Sequence, residues 1–139
     1  MAIEKTLAII KPDAVGRGLA GDILKHVHEA KFKIVAIKSM RLTKAEAEGF
    51  YAVHRERPFF KDLTECMTSG NGFVMAVEAE GAIARWRETM GATDPSKAAA
   101  GTIRKTFGTS IQNNCTHGSD AAETAQTEIA YFFSGMELI

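Results

Sequence analysis

The segment at 114–120 carries the side chains best suited to chemistry, and it reads Asn-Cys-Thr-His-Gly-Ser-Asp. Ser119 and Asp120 are good N-cap residues, and Glu123 stands three positions after Asp120, which predicts a capping box opening a helix over 121–133. His117 would then lie at the positive end of that helix, beside a glycine that permits close approach of a phosphate. A neutral imidazole has a lone pair that can attack phosphorus. The motif predicts a nucleophilic histidine, and a turn or capping role is about as common for a lone loop histidine.

Basic residues that interrupt apolar or loop stretches are candidates for phosphate binding: Lys11, Arg55, Arg87 and Arg104. Lys11 ends the first apolar run against a proline, where it could present a point charge to a pocket or simply extend its amine into solvent. Arg104 follows Gly101-Thr102-Ile103 in a predicted loop whose glycine and hydroxyl suit phosphate contacts as well as a turn. Each of these residues is weak support when taken alone.

Aromatic side chains near the middle of the chain could bind a nucleotide or form the core. Of Phe59 and Phe60, one ring could stack on a base while the other packs inside. The hydroxyl of Tyr51 could bind a phosphate or cap a packed ring. We interpret the remaining three histidines as surface or packing residues: His26, His28 and His54.

The glycines at 16–21 match the pattern Gly-x-Gly-x-x-Gly, which is found in dinucleotide-binding folds. Five residues separate these glycines from the preceding strand, no acidic residue ends the second strand, and the chain is too short for two mononucleotide-binding halves. We therefore expect a turn and a close helix contact here. The sequence also has no Gly-x-x-x-x-Gly-Lys-Ser/Thr motif, so a P-loop is excluded.

Composition limits the class of protein. A chain of 139 residues predicts one domain over residues 1–139. Its 17 basic and 17 acidic residues give no net field that would recruit nucleic acid or an anionic membrane. Two cysteines without metal-ligand spacing, and no apolar run long enough for a signal peptide or membrane span, favour a cytoplasmic protein.

Strands and helices are predicted to alternate. Short apolar runs predict strands at 6–11, 33–42 and 73–78, with a fourth near 115–117. Helices are predicted around 23–30, from the capping box at Thr43 and Glu46 toward His54, over 59–67, and along the face of Ile83, Trp86 and Met90. Residues 101–114 look irregular, and 93–102 is the best candidate for a long functional loop.

This order of elements favours an α/β (α+β) ferredoxin-like βαββαβ sandwich over a doubly wound fold. In that arrangement a four-stranded antiparallel sheet is covered by helices on one face, and a C-terminal segment follows.

Five motifs, spread in order over nearly the whole chain, together resemble the nucleoside diphosphate kinase family. They are Lys11-Pro12-Asp13-Ala14-Val15, Phe50-Tyr51 with Arg57-Pro58-Phe59-Phe60, Gly91-Ala92-Thr93-Asp94-Pro95, Gly101-Thr102-Ile103-Arg104 and His117-Gly118-Ser119-Asp120. The resemblance implies a ping-pong reaction in which His117 takes the γ-phosphoryl group of a nucleoside triphosphate and passes it to a nucleoside diphosphate. The charge of the phosphates would be neutralised by positioned cations and hydroxyls.

The resemblance also implies roles for individual residues. The phosphate-binding residues would be Lys11, Arg87, Thr93 and Arg104, and the sugar contacts Lys11 and Asn114. Tyr51 would lie near the transferred phosphate, Phe59 would stack on the base, and Ile111 would cover its other face. Glu128 would orient the imidazole, with Ser119 as its hydroxyl neighbour. Stacking without hydrogen bonds to base edges predicts low base selectivity.

The family is expected to use Mg²⁺, and the sequence shows no compact carboxylate cluster that could build a cage for it. The phosphates and water would hold the ion, and Asp120 could reach it through water. The implied partners are nucleoside di- and triphosphates and further copies of the chain, without a membrane or nucleic acid as primary partner.

Two departures from the family pattern concern packing and assembly. Ala99-Ala100 stands where the family usually has a proline, in a loop through which its members assemble, so this loop is expected to be looser. Trp86 replaces a smaller residue, which predicts altered local packing or altered contacts between subunits. The short C-terminal ending resembles bacterial members and favours a tetramer or dimer over a hexamer.

Two other classes of function compete with the enzyme. A nucleotide- or nucleic-acid-binding regulatory module on the same scaffold should show aromatic pairs on its central strands and a basic stripe, whereas these strands are aliphatic and the charge is balanced. An inactive homologue should lack the histidine or its phosphate-binding partners, and the sequence keeps them.

Overall fold

The structure, a computed structural model, describes residues 2–138. Its strands are β1 (Ile3–Ile10), β2 (Lys33–Met40), β3 (Gly72–Glu80) and β4 (Thr116–Gly118). Its α-helices are α1 (Pro12–Gly16), α2 (Ala20–Glu29), α3 (Lys44–Phe50), α4 (Phe60–Thr68), α5 (Ala82–Met90), α6 (Ile103–Phe107) and α7 (Ala122–Phe132). Short 3₁₀ helices occur at Ala52–His54, Pro95–Lys97 and Gly135–Glu137.

The four strands form one sheet in the order β2-β3-β1-β4, with antiparallel pairing throughout. Ile9 of the central strand β1 is opposite Val74 of β3 on one side and opposite His117 of β4 on the other. The predicted ferredoxin-like antiparallel sheet is confirmed, and the catalytic candidate lies on a short edge strand anchored to the core.

Helices cover both faces of this sheet, so the expectation that they cover one face was wrong. Alternate residues of β1 enter two separate clusters: Ala8 and Ile10 pack with α2 and α5, while Leu7 and Ile9 pack with α3, α4 and α7. The unbroken apolar run of β1 is what a strand buried on both faces requires.

The helix that begins after β2 has the predicted start. The hydroxyl of Thr43 accepts a hydrogen bond from the main-chain N–H of Glu46 at 3.1 Å, and the carboxylate of Glu46 accepts one from the N–H of Thr43 at 2.8 Å. This capping box supplies partners for two donors at the helix start. The α-helix ends at Phe50, and a 3₁₀ turn continues to His54.

Two predictions near the C-terminal third need correction. Residues 103–107 form α6 rather than irregular chain, because the hydroxyl of Thr102 caps it by accepting from the N–H of Lys105. Helix α7 begins at Ala122, and its N-cap is Ala121, whose N–H donates to the hydroxyl of Thr124 at 2.9 Å. His117 therefore lies within β4, which confirms the predicted fourth strand near 115–117, and not at a helix start.

Within residues 2–138, no helix combines the length and the apolar character needed to cross a bilayer. The two faces of the sheet are filled by aliphatic and aromatic side chains of the amphipathic helices. The sheet and its helices thereby fix the ends of β1 and β4, where the candidate site lies.

Candidate functional site

The ring of His117 is fixed through one of its nitrogens. Its Nε2 is 2.9 Å from Oε1 of Glu128 on α7, and the hydroxyl of Ser119 donates to the same oxygen at 2.8 Å. Because an ionised carboxylate only accepts hydrogen bonds, Nε2 carries the proton. Among the described residues, none hydrogen-bonds Nδ1, so the lone pair of that nitrogen is available to a substrate.

Two aromatic rings restrict the imidazole further. Phe50 and Tyr51 meet it edge-on, with ring centroids 5.3 Å and 6.1 Å from that of His117. Ser119 itself is held to the sheet because its hydroxyl accepts from the N–H of Leu7. The orientation of His117 thus depends on α3, α7 and β1 together.

Lys11 follows β1 directly and is buried, with 3% of its surface exposed. Its Nζ donates to the carbonyl of Gln112 at 2.8 Å and to Oδ1 of Asn114 at 3.0 Å. Burial lowers the pKa of the Lys11 ammonium from its ordinary value. No carboxylate hydrogen-bonds Nζ among the described residues, so this cation is prepared for an anionic ligand.

Arg104 brings a second buried cation from α6. Its Nη1 donates to the carbonyl of Gly91 at 3.0 Å and its Nη2 to the carbonyl of Thr116 at 2.8 Å. Burial first, and then the nearby charge of Arg87, lowers the pKa of its guanidinium to about 10. Arg104 therefore remains a cation at neutral pH, close to the positive charge of Arg87.

Arg87 lies at the more exposed side of the same region. Its Nη1 donates to Oδ1 of Asp120 at 2.7 Å, and both side chains are more than half exposed. Asp120 was expected to cap α7, but its carboxylate binds Arg87 instead. Exposed pairs of this kind contribute little to stability, so an incoming phosphate can compete for Arg87 at small cost.

Asn114 connects two loops of the site. Its Oδ1 accepts from Lys11, while its Nδ2 donates to the main-chain carbonyl of Thr93 at 3.0 Å. The amide therefore fixes the residue 93 loop against the end of β1. The side chain of Thr93 lines the same cavity.

Three buried polar atoms near His117 lack hydrogen-bond partners: the Tyr51 hydroxyl, Nε of Arg104 and the Thr116 hydroxyl. Burial raises the pKa of Tyr51, with the charge of Glu128 adding to the effect, so the phenol stays protonated. Unpartnered buried donors are costly in a folded protein. A phosphate is a ligand whose oxygens would satisfy such donors.

At the mouth of the site, the ring of Phe59 is 42% exposed and lies 5.5 Å from the ring of His54. Ile111 is also exposed and lines the same cavity. Exposed apolar side chains at a cavity entrance suit a flat base. His54, expected to be a surface or packing residue, is part of the cavity wall.

These side chains enclose a cavity of about 310 Å³. Ten of the twelve residues to which the family resemblance gives a role line this cavity: Lys11, Tyr51, Phe59, Arg87, Thr93, Arg104, Ile111, Asn114, His117 and Asp120. The other two do not line the cavity: Glu128 hydrogen-bonds His117, and Ser119 hydrogen-bonds Glu128. Arg55, named on sequence grounds as a possible phosphate ligand, does not line it either.

Sequence reasoning missed several residues of the cavity wall, including Leu63, Met90 and Gln112. Gln112 contributes its main-chain carbonyl to Lys11, and a main-chain group leaves no signal in residue type. The sequence predicts that Trp86 alters local packing or contacts between subunits. It is fully buried, so the packing interpretation holds, and its indole N–H donates to the carbonyl of His117.

The acidic side chains of the described residues do not form a metal cage. Within residues 2–138, no group of three or more His, Cys, Asp or Glu side chains is arranged to hold an ion. Asp120 is the acidic residue that lines the cavity, and its carboxylate is exposed. The donor set fits a divalent ion carried mainly by a ligand's own oxygens, not one held by a protein cage.

Comparison with known proteins gives one family. The family model described as nucleoside diphosphate kinase matches residues 4–138. A protein of Geotalea uraniireducens named nucleoside diphosphate kinase is 58% identical over 137 residues, which span 99% of this chain and 100% of that one. One of Anaeromyxobacter with the same name is 57% identical over 99% of this chain and 94% of its own.

Solved structures agree with the sequence matches. The nucleoside diphosphate kinase of Aquifex aeolicus superposes with a TM-score of 0.96 at 46% identity, covering 99% of this chain and 100% of that one. The halophilic nucleoside diphosphate kinase of Halobacterium salinarum, solved with CDP, gives 0.94 at 41% identity, covering 99% and 92%.

Proposed function

The chain belongs to the nucleoside diphosphate kinase family, a family of phosphotransferases, and we propose that His117 is the residue that carries the phosphoryl group. The protein transfers the γ-phosphoryl group of a nucleoside triphosphate to a nucleoside diphosphate in a ping-pong reaction. The observation that carries our assignment is the hydrogen bond from His117 Nε2 to Glu128, which leaves Nδ1 free in a cavity lined by cations.

In the proposed first half-reaction, the lone pair of Nδ1 attacks the γ-phosphorus. The N–P bond forms while the bond from phosphorus to the β,γ-bridging oxygen breaks, and the diphosphate leaves with that electron pair. Glu128 stabilises the positive charge that develops on the imidazole, because its carboxylate accepts from Nε2. In the second half, a terminal oxygen of another nucleoside diphosphate attacks the phosphohistidine and restores the free ring.

Charge neutralisation would come from the cations around the cavity. Lys11, Arg87 and Arg104 would bind the phosphates, with the hydroxyl of Thr93 as a further contact. Tyr51 would donate its unpartnered hydroxyl near the transferred group. Lys11 and Asn114, already hydrogen-bonded to each other, would also contact the sugar.

The base would lie at the cavity mouth between Phe59 and Ile111. A ring stacked on one face and covered by an aliphatic side chain on the other has no hydrogen-bond readout of its edge. Every base has a π-face, so such a clamp accepts purines and pyrimidines alike. This arrangement agrees with low base selectivity.

We propose Mg²⁺ as the cofactor, held mainly by the phosphates of the nucleotide, with Asp120 reaching it through water. When bound, the ion would neutralise charge on the phosphate oxygens. Asp120 is suited to this role because its carboxylate is exposed at the cavity edge and has one partner, Arg87.

We also propose that residues 1–139 form one nucleoside diphosphate kinase domain that acts in the cytoplasm as a homo-oligomer, a tetramer or dimer in preference to a hexamer. The family match over residues 4–138 supports the single domain. The free thiols of Cys66 and Cys115 are compatible with a reducing compartment. A regulatory binding module on the same scaffold is not favoured, because the relatives that match the whole chain are named as kinases.

The test is incubation with γ-labelled ATP and no acceptor. We expect an acid-labile, alkali-stable label on the parent protein, released on addition of GDP, and no label on His117→Ala. The phosphohistidine should be the Nδ1 isomer. His54→Ala is a matched control, since it removes an imidazole from the same cavity and should still accept label. Label on His117→Ala, or on Nε2 of the parent, would contradict the assignment.

A further inference from the structure

We propose that Trp86 is a positioning residue for phosphoryl transfer, because its indole N–H holds the main chain of the residue that carries the reacting nitrogen. The inference rests on the proposed role of His117. It adds a residue of α5 that does not contact the nucleotide and acts through the strand beneath the nucleophile.

The contact is direct and buried. Nε1 of Trp86 donates to the main-chain carbonyl of His117 at 3.1 Å, and the indole is fully buried. Phe32 packs edge-on against the indole, with ring centroids 5.8 Å apart and planes at 89°. The donor therefore has a fixed direction, and it cannot exchange this bond for one to solvent.

Strand β4 needs such support because it is short and lies at the edge of the sheet. It has three residues and pairs with β1 alone. The carbonyls of Thr116 and His117 both accept hydrogen bonds from side chains, the first from Arg104 and the second from Trp86. Side chains from α5 and α6 thus donate hydrogen bonds to this strand, as a second neighbouring strand does for a central strand.

Gly118, which follows His117, leaves the space that the indole of Trp86 occupies. A Cβ at Gly118 would lie 2.4 Å from Cδ1 and 2.8 Å from Nε1 of Trp86, and 2.7 Å from Cε of Met90. The flexible end of Met90 could move aside, but a fully buried indole packed against Phe32 could not. Gly118 and Trp86 therefore form a matched pair that sets how closely β4 approaches α5.

His117 is consequently held at two points by different elements. Glu128 of α7 fixes the ring through Nε2, and Trp86 of α5 fixes the main chain from the other side of the sheet. Displacement of a reacting group by about 1 Å can slow a reaction roughly 100-fold. Loosening the carbonyl should thus reduce the rate of phosphoryl transfer more than the affinity for nucleotide, whose ligands lie elsewhere in the cavity.

The hydrogen bond can be deleted alone because the chain has one tryptophan. Incorporation of β-(3-benzothienyl)alanine at position 86 keeps the bicyclic shape and replaces N–H by sulfur, and 5-fluorotryptophan is the control that keeps N–H. We expect the single-turnover rate of His117 phosphorylation to fall about five- to tenfold in the benzothienyl protein relative to the fluorinated one. The dissociation constant for ADP should change less than twofold.

A second measurement examines the contact itself. The single indole N–H resonance of the parent should exchange slowly with D₂O, and it should shift when His117 is phosphorylated. Gly118→Ala should lower the phosphorylation rate, and Trp86→Phe in the same chain should restore part of it by making room for the methyl group. Such partial recovery would show that the methyl group acts through its contact with the indole.

The outcomes separate the two proposals. If the parent takes label on His117 and the benzothienyl protein does so at the rate of the fluorinated control, the role of Trp86 is wrong and the proposed function stands. Equal losses in rate and ADP affinity, or an indole proton that exchanges at once, would also overturn it. Absence of label on His117 in the parent would overturn the proposed function and this inference together.

Discussion

Glu128 determines which nitrogen of His117 would react in the proposed mechanism. Its carboxylate accepts the Nε2 proton, and the hydroxyl of Ser119 donates to the same oxygen. The pair is partly buried, with 21% of each side chain exposed, so its charge is incompletely screened. In the proposed reaction, the choice of tautomer and the stabilisation of the phosphorylated ring both depend on this one side chain.

We expect Glu128→Gln to slow phosphorylation of His117 by about 10- to 100-fold, the range expected from loss of a charge-assisted hydrogen bond. Affinity for ADP should stay within about twofold, since Glu128 does not line the cavity. Single-turnover labelling and calorimetric titration measure the two quantities. Glu123→Gln, an exposed acid on the same helix α7, is the control, and an equal effect from both substitutions would disprove the role.

The buried ammonium of Lys11 predicts that ADP binding weakens at alkaline pH. Burial lowers the pKa of its ammonium in the free protein, so the charge is lost at a lower pH than for an ordinary lysine. A bound phosphate favours the charged form, and affinity for ADP should therefore decline as the pH rises through this lowered pKa. The folded state holds fewer protons than the unfolded state in the same window, so stability should rise with pH there.

Titration of ADP from neutral pH up to the ordinary lysine pKa of about 10.4 measures this decline. In Lys11→Gln, affinity should be weaker at every pH and its alkaline decline should flatten. Lys11→Arg keeps its charge throughout and should also flatten the curve. A decline that persists unchanged in both variants would assign the dependence to another group.

The strands and helix starts that depend on a hydrophobic pattern or on capping residues could be predicted from the sequence. The strands β1, β2 and β3 and the capping box at Thr43 needed no tertiary information. Helix α6 was missed because its five residues are too few for a periodic signal. The start of α7 was misplaced because Asp120 binds Arg87, a contact 33 residues away that local rules cannot include.

The candidate site also has a part that the sequence could predict and a part that it could not. Side chains recognised by motif meet in one cavity, although Glu128 and Ser119 act from behind the histidine. What the sequence could not show are contacts made by main-chain groups, namely the carbonyl of Gln112 with Lys11 and that of His117 with Trp86. Such contacts depend on how elements approach one another and not on residue type.

The turn before α6 offers a test of element stability. The carbonyl of Ala99 accepts from the N–H of Thr102, and Gly101 between them has a φ of 87°. This is the pattern of a type II turn, in which Ala100 occupies the position that proline favours. We expect Ala100→Pro to stabilise the protein by about 0.4–1 kcal/mol, and to raise the unfolding temperature by roughly 1–4 °C.

The matched control for that turn is Gly101→Ala. A φ of 87° strains any residue with a Cβ, so this variant should lose about 1–2 kcal/mol although its methyl group meets open space. Calorimetric unfolding of both variants at one pH measures the difference. Destabilisation by Ala100→Pro would show that the turn is not of type II.

The exposed edge strand β2 predicts that copies of the chain assemble through this edge of the sheet. The outer strand β2 exposes Ile34 and Ile37, with 38% and 44% of their surfaces accessible. Apolar side chains on an uncovered edge strand invite pairing with another chain. A second copy, which carries the same edge and no net charge to oppose contact, is the partner we propose.

Light scattering coupled to size exclusion should therefore give two or four times the chain mass of 15.1 kDa. Ile37→Lys should reduce that mass, because a lysine on the edge strand places like charges opposite each other in a two-fold contact. Met136→Lys is the control, since Met136 is 91% exposed and lies outside the sheet. A parent of single-chain mass would contradict the assembly, a sixfold mass would contradict the preference for tetramer or dimer, and equal effects of the two lysines would contradict the place of contact.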